Sequence, residues 1–325
     1  LTTSEVTMAG ATVSVSDAAS LVNANAINGF TTAQVTLTSV SDTVANITSI
    51  DGLTTSEVTM AGATVSVSDA ATLANANAIN GFTTAQVTLT SVSDTVANIT
   101  SIDGLTTSEV TMAGATVSIT DAGVTKTQLD AVNAFTTGTV TALTVTEDRA
   151  DITTLQGTTG ISLAATNITV TDAVSLAQAE TINGFTSGTV TLNSVSDTVA
   201  NLATLAAIDN SEVTIAGALI SVSDAATKAN ADTINAYTTG QVTLTSVNDT
   251  VANITAIDGL TTSEVTMAGA TVSVSDAASL VNANAINGFT TAQVTLTSVS
   301  DTVANITSID GLTTSEVTMA GATVS

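Results

Sequence analysis

A carboxylate returns on a fixed schedule along this chain. Asp17, Asp42, Asp69, Asp94, Asp121, Asp172, Asp197, Asp224, Asp249, Asp276 and Asp301 share one position of a repeat, with Glu147 in the remaining unit. Two kinds of chemistry suit such a row. In the first, each Ser-Asp caps the segment after it by accepting backbone N–H groups, which favours the ionised carboxylate and ends the preceding strand. In the second, Ca²⁺ ions sit between repeats on oxygens of Asp, Asn and the backbone, with Asp17, Asp42, Asp69 and Asp94 as the first rungs. Stacked at strand spacing, the row repels itself by about 1 kcal/mol per neighbour even in water, so something must offset it. The glycine- and aspartate-rich nonapeptide of calcium β-rolls is absent, and so is an EF-hand loop. The sequence therefore nominates no catalytic, cofactor or metal residue, with calcium on the Asp column as the alternative.

Composition narrows the chemistry further. The chain has 325 residues with no Cys, His, Pro or Trp, three Lys and Arg together, and a formal charge of -25. Without His or Cys there is no ordinary zinc site, no thiol nucleophile and no imidazole base. An enzyme is not expected. So acidic a chain repels nucleic acid and anionic membrane surfaces, which excludes both as partners. Hydrophobic residues make up 44% and charged ones 10%, which is not the composition of a disordered tail. No apolar run of about 18 residues is present to span a bilayer.

The elements that must position the carboxylates are set by the repeat. Copies aligned at Val6, Val58, Val110, Ile161, Val213, Val265 and Val317 are 52, 52, 51, 52, 52 and 52 residues apart. Each period splits into a long unit of 29 residues, such as Val6 to Gln34, and a short one of 23, such as Val35 to Glu57, giving twelve related units. The patches "VTM", "TVSV" and "VTLTSV" are β-branched and alternate, which predicts short strands. "AGA" at 9–11 shifts the apolar phase and predicts a bend or bulge. "TVANITSI" spaces Val44, Ile47 and Ile50 three apart and predicts a turn or two of helix, with Ser41 or Asp42 as its N-cap. "NG" at 28–29 and "DG" at 51–52 read as turns. A coil this short cannot bury its own face and must stack on its neighbours. The fold expected is a repeat solenoid: mainly parallel β coils of 23 and 29 residues, with short helical turns along one side, continuous over 1–325. The same string, "LTTSEVTMAGATVS", opens the chain at 1–14 and closes it at 312–325, as expected of a segment of a longer array.

Aligned units turn each position into a column. Phe30, Phe82, Phe135, Phe185, Tyr237 and Phe289 share one, matched in the short units by Leu53, Leu105, Ile208, Leu260 and Leu312; all are expected to fill the core. Met8, Met60, Met112, Met267 and Met319 share another with Leu163 and Ile215, also expected as core. Ile27, Ile79, Val132, Ile182, Ile234 and Ile286 never turn polar and should point inward. Lys228 in a Leu column and Arg149 in a Val column mark positions that meet water. The Asn column (Asn28, Asn80, Asn133, Asn183, Asn235, Asn287) suggests stacked amides or left-handed turns before Gly. "TEDRADI" at 146–152, inside the divergent stretch 121–160, reads as drift in one coil.

"VSDTVANI" at 40–47, 92–99 and 299–306, together with "SITDAG" at 118–123, resembles the repeats of very large, acidic, Cys-free bacterial surface and secreted proteins, among them giant adhesin-like and hemolysin-type proteins of cyanobacteria and proteobacteria. That resemblance implies export, attachment or an extracellular coat. The expectation is a structural extracellular protein at the cell surface, a rod, fibre, stalk or S-layer-like sheet, that self-associates end to end or side by side and does not insert into membranes. The alternative is an adhesin or other binding module for a glycan, ice or another repetitive surface, using the Thr rows of "TTSEVT" and "TTAQVT".

Overall fold

A computed structural model describes residues 7–53, 57–105, 109–208, 212–260, 264–312 and 316–325. Val6, which opens the first column, and the Thr-Thr-Ser triplets of "TTSEVT" lie outside the described residues. The chain divides into two compact units, Leu1–Val145 with Thr154–Thr166, and Thr146–Thr153 with Asn167–Ser325. The first carries a nine-stranded sheet and the second an eleven-stranded one, and the strand pairs of both are parallel.

One period shows how the sequence builds these sheets. A two-residue strand, Val58–Thr59, leads through Met60–Ala63 into the strand Thr64–Ala71, and the helix Leu73–Asn80 follows. The strand Val87–Asp94 and the helix Val96–Asp103 complete the period. From Val58 to Ala71 is fourteen residues and from Val87 to Asp94 is eight, which accounts for the whole six-residue difference between long and short units. The extra residues are the expected bend at "AGA". They let the long unit pair twice with the short strand below it: Val35 with Val58 and Val40 with Val65. A second irregularity, at Ser68–Asp69, separates the pairs Val67–Leu89 and Ala70–Ser91. It leaves the Val67 carbonyl off the ladder, and the Thr90 hydroxyl donates to it at 2.7 Å.

The fold is an α/β repeat in which strands and helices alternate, with no closed barrel. The repeat and its parallel strands are as expected, but the connecting segments are helices of eight or nine residues, twelve among the described residues, and they claim nearly as many residues as the strands. The core lies between the sheet and these helices. Val87, Leu89 and Val92 enter it from the strand, while Thr88 and Thr90 face outward. From the helices come Ile99 and Ile102 in short units and Ala76 and Ile79 in long ones, each three residues apart on one helical face. "NG" and "DG" are helix ends, not β-turns: Asn80 is the last helical residue and Gly81 its C-cap at φ -71. No described non-Gly residue has positive φ, so the left-handed reading of the Asn column does not hold.

The Met column is core, with Met60, Met112, Met267, Leu163 and Ile215 no more than 5% exposed, although Met8 is exposed and Met319 half-buried. Ile79, Val132, Ile182, Ile234 and Ile286 point inward as expected, while Ile27 is half-buried. The aromatic column is a correction. Phe82, Phe135, Phe185, Tyr237 and Phe289 are half-buried and Phe30 is 59% exposed; Leu53, Leu105, Ile208, Leu260 and Leu312 are half-buried too. The reason is positional. These residues lie at the helix C-cap or one residue after it, at the rim of a layer that the strand and helix side chains already fill.

Deleting a buried methylene costs its transfer energy plus the cavity it leaves. Ile99→Ala is expected to lose about 2–5 kcal/mol, and Phe82→Ala less, despite the larger side chain. Midpoints of urea unfolding check the order; an equal or larger loss at Phe82 would return the aromatics to the core.

Candidate functional site

The first turn of a helix leaves backbone N–H groups without partners inside the helix. Here they are met from three sources, and the Asp column is one of them. In the short unit the helix Val44–Gly52 begins after Thr43, not Ser41 or Asp42, and the Thr43 hydroxyl accepts the Asn46 N–H at 3.3 Å. Asp42 Oδ1 accepts the Thr43 N–H and the Asn46 amide, both at 2.8 Å. In the long unit a capping box of Ser20 and Asn23 does the same work, with Ser20 N–H donating to Asn23 Oδ1 at 3.1 Å.

The N–H of the first helical residue is met from another coil. Asp42 Oδ2 accepts the Leu21 N–H at 2.8 Å, from the helix of the coil before it. The same bond runs from Leu73 to Asp94, Leu176 to Asp197, Lys228 to Asp249 and Leu280 to Asp301, at 2.8–3.0 Å. The long-unit carboxylates reach back in the same way. Asp69 accepts from Val44, Asp121 from Val96, Asp172 from Arg149, Asp224 from Val199 and Asp276 from Val251, at 2.6–2.8 Å. The residue separations alternate between 21 and 25, except at Asp172, where it is 23. Asp17 sits exposed in the first of these bulged strands, and Glu147 ends the strand Thr144–Glu147 half-buried.

The capping expectation therefore holds in kind and changes in direction. The carboxylate, at the strand end in short units and at the bulge in long ones, serves the helix of the coil before it in ten cases and, in short units, its own helix as well. Nothing in the one-dimensional pattern separates the two, because the spacing from Asp to a following or a preceding helix is equally regular. The bulge at Ser68–Asp69 is the one local sign, since it takes Asp69 out of the strand alternation.

The electrostatics follow from these contacts. Burial pushes the Asp42 carboxyl up, but hydrogen bonds from Leu21, Asn46 and Thr43 outweigh it and hold the group below the usual carboxylate range. Asp94, Asp197 and Asp249 are lowered for the same reasons, and Asp301 chiefly by its bond from Leu280. Each carboxylate that bonds a preceding helix also lies on that helix's positive end, which offsets the self-repulsion of the row.

As a calcium site the column is poorly arranged. Among the described residues no group of three or more Asp or Glu side chains comes together as a cation would need. The oxygens point instead at N–H donors. "TEDRADI" keeps the repeat: Asp148 Oδ1 accepts the Asp151 N–H at 2.8 Å in the capping position, and Ile152 and Leu155 are buried. Among the described residues the Asn column forms no stacked ladder of amides; Asn28, Asn80 and Asn287 donate to Glu57, Glu109 and Glu316 at 2.9–3.3 Å, and Asn133 to the Thr159 carbonyl. The "NIT" triplets at 46–48 and 98–100 lie inside helices with the Asn amide given to Asp42 or Asp94.

The Thr rows are split. In "TTAQVT" the first Thr is consumed internally, since Thr31, Thr83 and Thr290 are buried and donate to the carbonyls of Ala11, Ala63 and Ala270 at 2.6 Å. The last Thr of each motif lies in a strand, Thr88 closing "TTAQVT" and Thr111 closing "TTSEVT". Ser41, Ser66, Thr88 and Thr111 lie in register across four neighbouring strands, a row without charge. No described helix is long and apolar enough to cross a membrane. Comparison with protein-family models, curated proteins and solved structures finds no match to this chain.

Asp94→Ala removes an acceptor from two helices at once and is expected to cost about 1–2 kcal/mol, more than Asp69→Ala, which uncaps one; thermal or urea midpoints check it. With folded pKa values below the ordinary carboxylate value, the stabilisation is present above about pH 4 and is lost as pH falls through the lowered folded values. Melting followed by circular dichroism should accordingly hold steady from neutral pH down to that point and drop below it. A decline that begins near neutral pH would contradict the caps.

Proposed function

We propose that this chain is a load-bearing structural array, part of a rod, fibre, stalk or surface layer outside a bacterial cell. In this reading the coils of each unit wind as a solenoid, with the parallel strands on one side and the helices along the other. The observation that carries the proposal is the carboxylate staple: ten carboxylates, Asp42, Asp69 and Asp94 among them, each bond the first N–H of the helix of the preceding coil. A coil is then finished only by the coil added to it, which is the energetics of a chain that grows by repetition. The resemblance of "VSDTVANI" to repeats of giant bacterial surface proteins supports the extracellular setting, and the net charge of -25 argues against nucleic acid or anionic lipid as partner.

Single-molecule pulling on the chain tests this. A load-bearing array should yield in steps of one 52-residue period, each releasing about 170–190 Å of chain at 3.3–3.6 Å per residue, with peak force unaltered between millimolar calcium and excess chelator. One all-or-none event, or a force that rises strongly with calcium, would overturn it; the second result would restore the metal reading of the Asp column.

A second reading, a module that binds a glycan, ice or another repetitive surface, is favoured by the uncharged hydroxyl row Ser41, Ser66, Thr88 and Thr111. Thr88→Glu places a charge in that row without touching the core. It should abolish retention on crystalline polysaccharide or ice under the binding reading and change nothing under the structural one.

A further inference from the structure

The Asn column is left unexplained by the staple. Four of its members precede glycine, at Asn28–Gly29, Asn80–Gly81, Asn183–Gly184 and Asn287–Gly288, whereas Asn133 and Asn235 precede alanine. The backbone does not require the glycines. They cap their helices at φ -67 to -74, in the right-handed region, and Ala134 and Ala236 take the same position at φ -71 and -73. An added Cβ at Gly81 meets the nearest atom, the Ala78 carbonyl oxygen, at 3.2 Å, a tight contact that the alanine coils accommodate.

Asn–Gly is the pair in which a backbone nitrogen most easily reaches the preceding side chain, because glycine has no Cβ in the way. We propose that these four pairs are self-modification sites gated by the end of the helix. In the reaction the glycine nitrogen gives its proton to solvent base and bonds to Asn Cγ. The Cγ–Nδ2 bond breaks and the nitrogen leaves as ammonia, closing a succinimide. Water then opens either carbonyl of the ring, to aspartate or to isoaspartate. No electrons are transferred and water is the co-reactant.

While the helix is wound, the reacting N–H is engaged. Gly81 N–H donates to the carbonyls of Asn77 at 3.2 Å and Ala78 at 3.1 Å, and Gly29 N–H to Asn25 at 3.1 Å. The leaving amide is held as well, by Glu57 at Asn28, by Glu109 at Asn80 and by Glu316 at Asn287. Asn183 makes no such bond among the described residues and serves as an internal comparison. Opening of the last helical turn frees both groups together. Conversion then sets a new carboxylate against the glutamate that held the amide, so the coil cannot close as before. Each event is a permanent record that a coil has opened.

The test is peptide mapping of aspartate and isoaspartate in the full chain, held at mildly alkaline pH either folded or in denaturant, with Tm measured in parallel. In denaturant the four Asn–Gly pairs should convert at one common rate. In the folded chain Asn80 should convert at least about tenfold more slowly, the ratio that a local opening energy of about 1.4 kcal/mol gives, and Asn183 should lead. Gly81→Ala should keep the parent Tm and suppress conversion at Asn80 even in denaturant, while Asn80→Asp should lower Tm. Equal rates at Asn80 in folded and denatured chain would overturn the gate, and an Asn80→Asp variant that melts like the parent would overturn its consequence.

Discussion

In ten of the twelve described helices the N–H of the first residue is bonded by a carboxylate that arrives with the next coil, and the rest of the structure depends on it. A helix of eight residues does not hold itself in water. Helices such as Leu73–Asn80 survive because Ala76 and Ile79 are buried against the sheet and because the first turn is satisfied from within and from the neighbouring coil. The strand supplies the carboxylate, the helix supplies the donors, and neither is complete in a single coil. Stability of this kind is a sum of nearest-neighbour terms, which is why near-identical units repeat without loss of fit.

The same contact resolves the electrostatic difficulty of a chain with 28 acidic and three basic side chains. A row of aspartates is costly when it faces itself. Here each member faces a helix N-terminus, whose partial positive charge and N–H donors replace a counter-ion. Among the described residues the ion pairs are Lys126 with Asp130 and Lys228 with Asp232, both partly exposed i, i+4 pairs that contribute little.

Much of the fold was legible in the sequence. The 52-residue period, the strands at "VTLTSV", the irregularity at "AGA" and the inward Ile and Met columns follow from periodicity and β-branching, which report local geometry directly. What could not be read are relations between coils. Asp42 is 21 residues after Leu21 and one before Thr43, and both bonds exist, but a linear pattern shows only the nearer one. The aromatic column misled for a related reason: hydrophobicity marks Phe82 as core, whereas the depth of the layer between strand and helix is fixed by packing that places the residue after a helix C-cap at its rim. The Asn column was visible as a column, but its glutamate partners lie 29 residues on. The extent of the helices was underestimated because Asn, Thr and Ser carry little helical signal without tertiary contacts.

The central claim is that the carboxylate acts backward along the chain, and amide hydrogen exchange tests it most directly. Val44 N–H is held by Asp69, 25 residues downstream, while Asn46 N–H is held by Thr43 in its own coil. In Asp69→Ala the account predicts that Val44 loses its protection while Asn46 keeps most of its own. Loss confined to the residues around 69, with Val44 still protected, would contradict it.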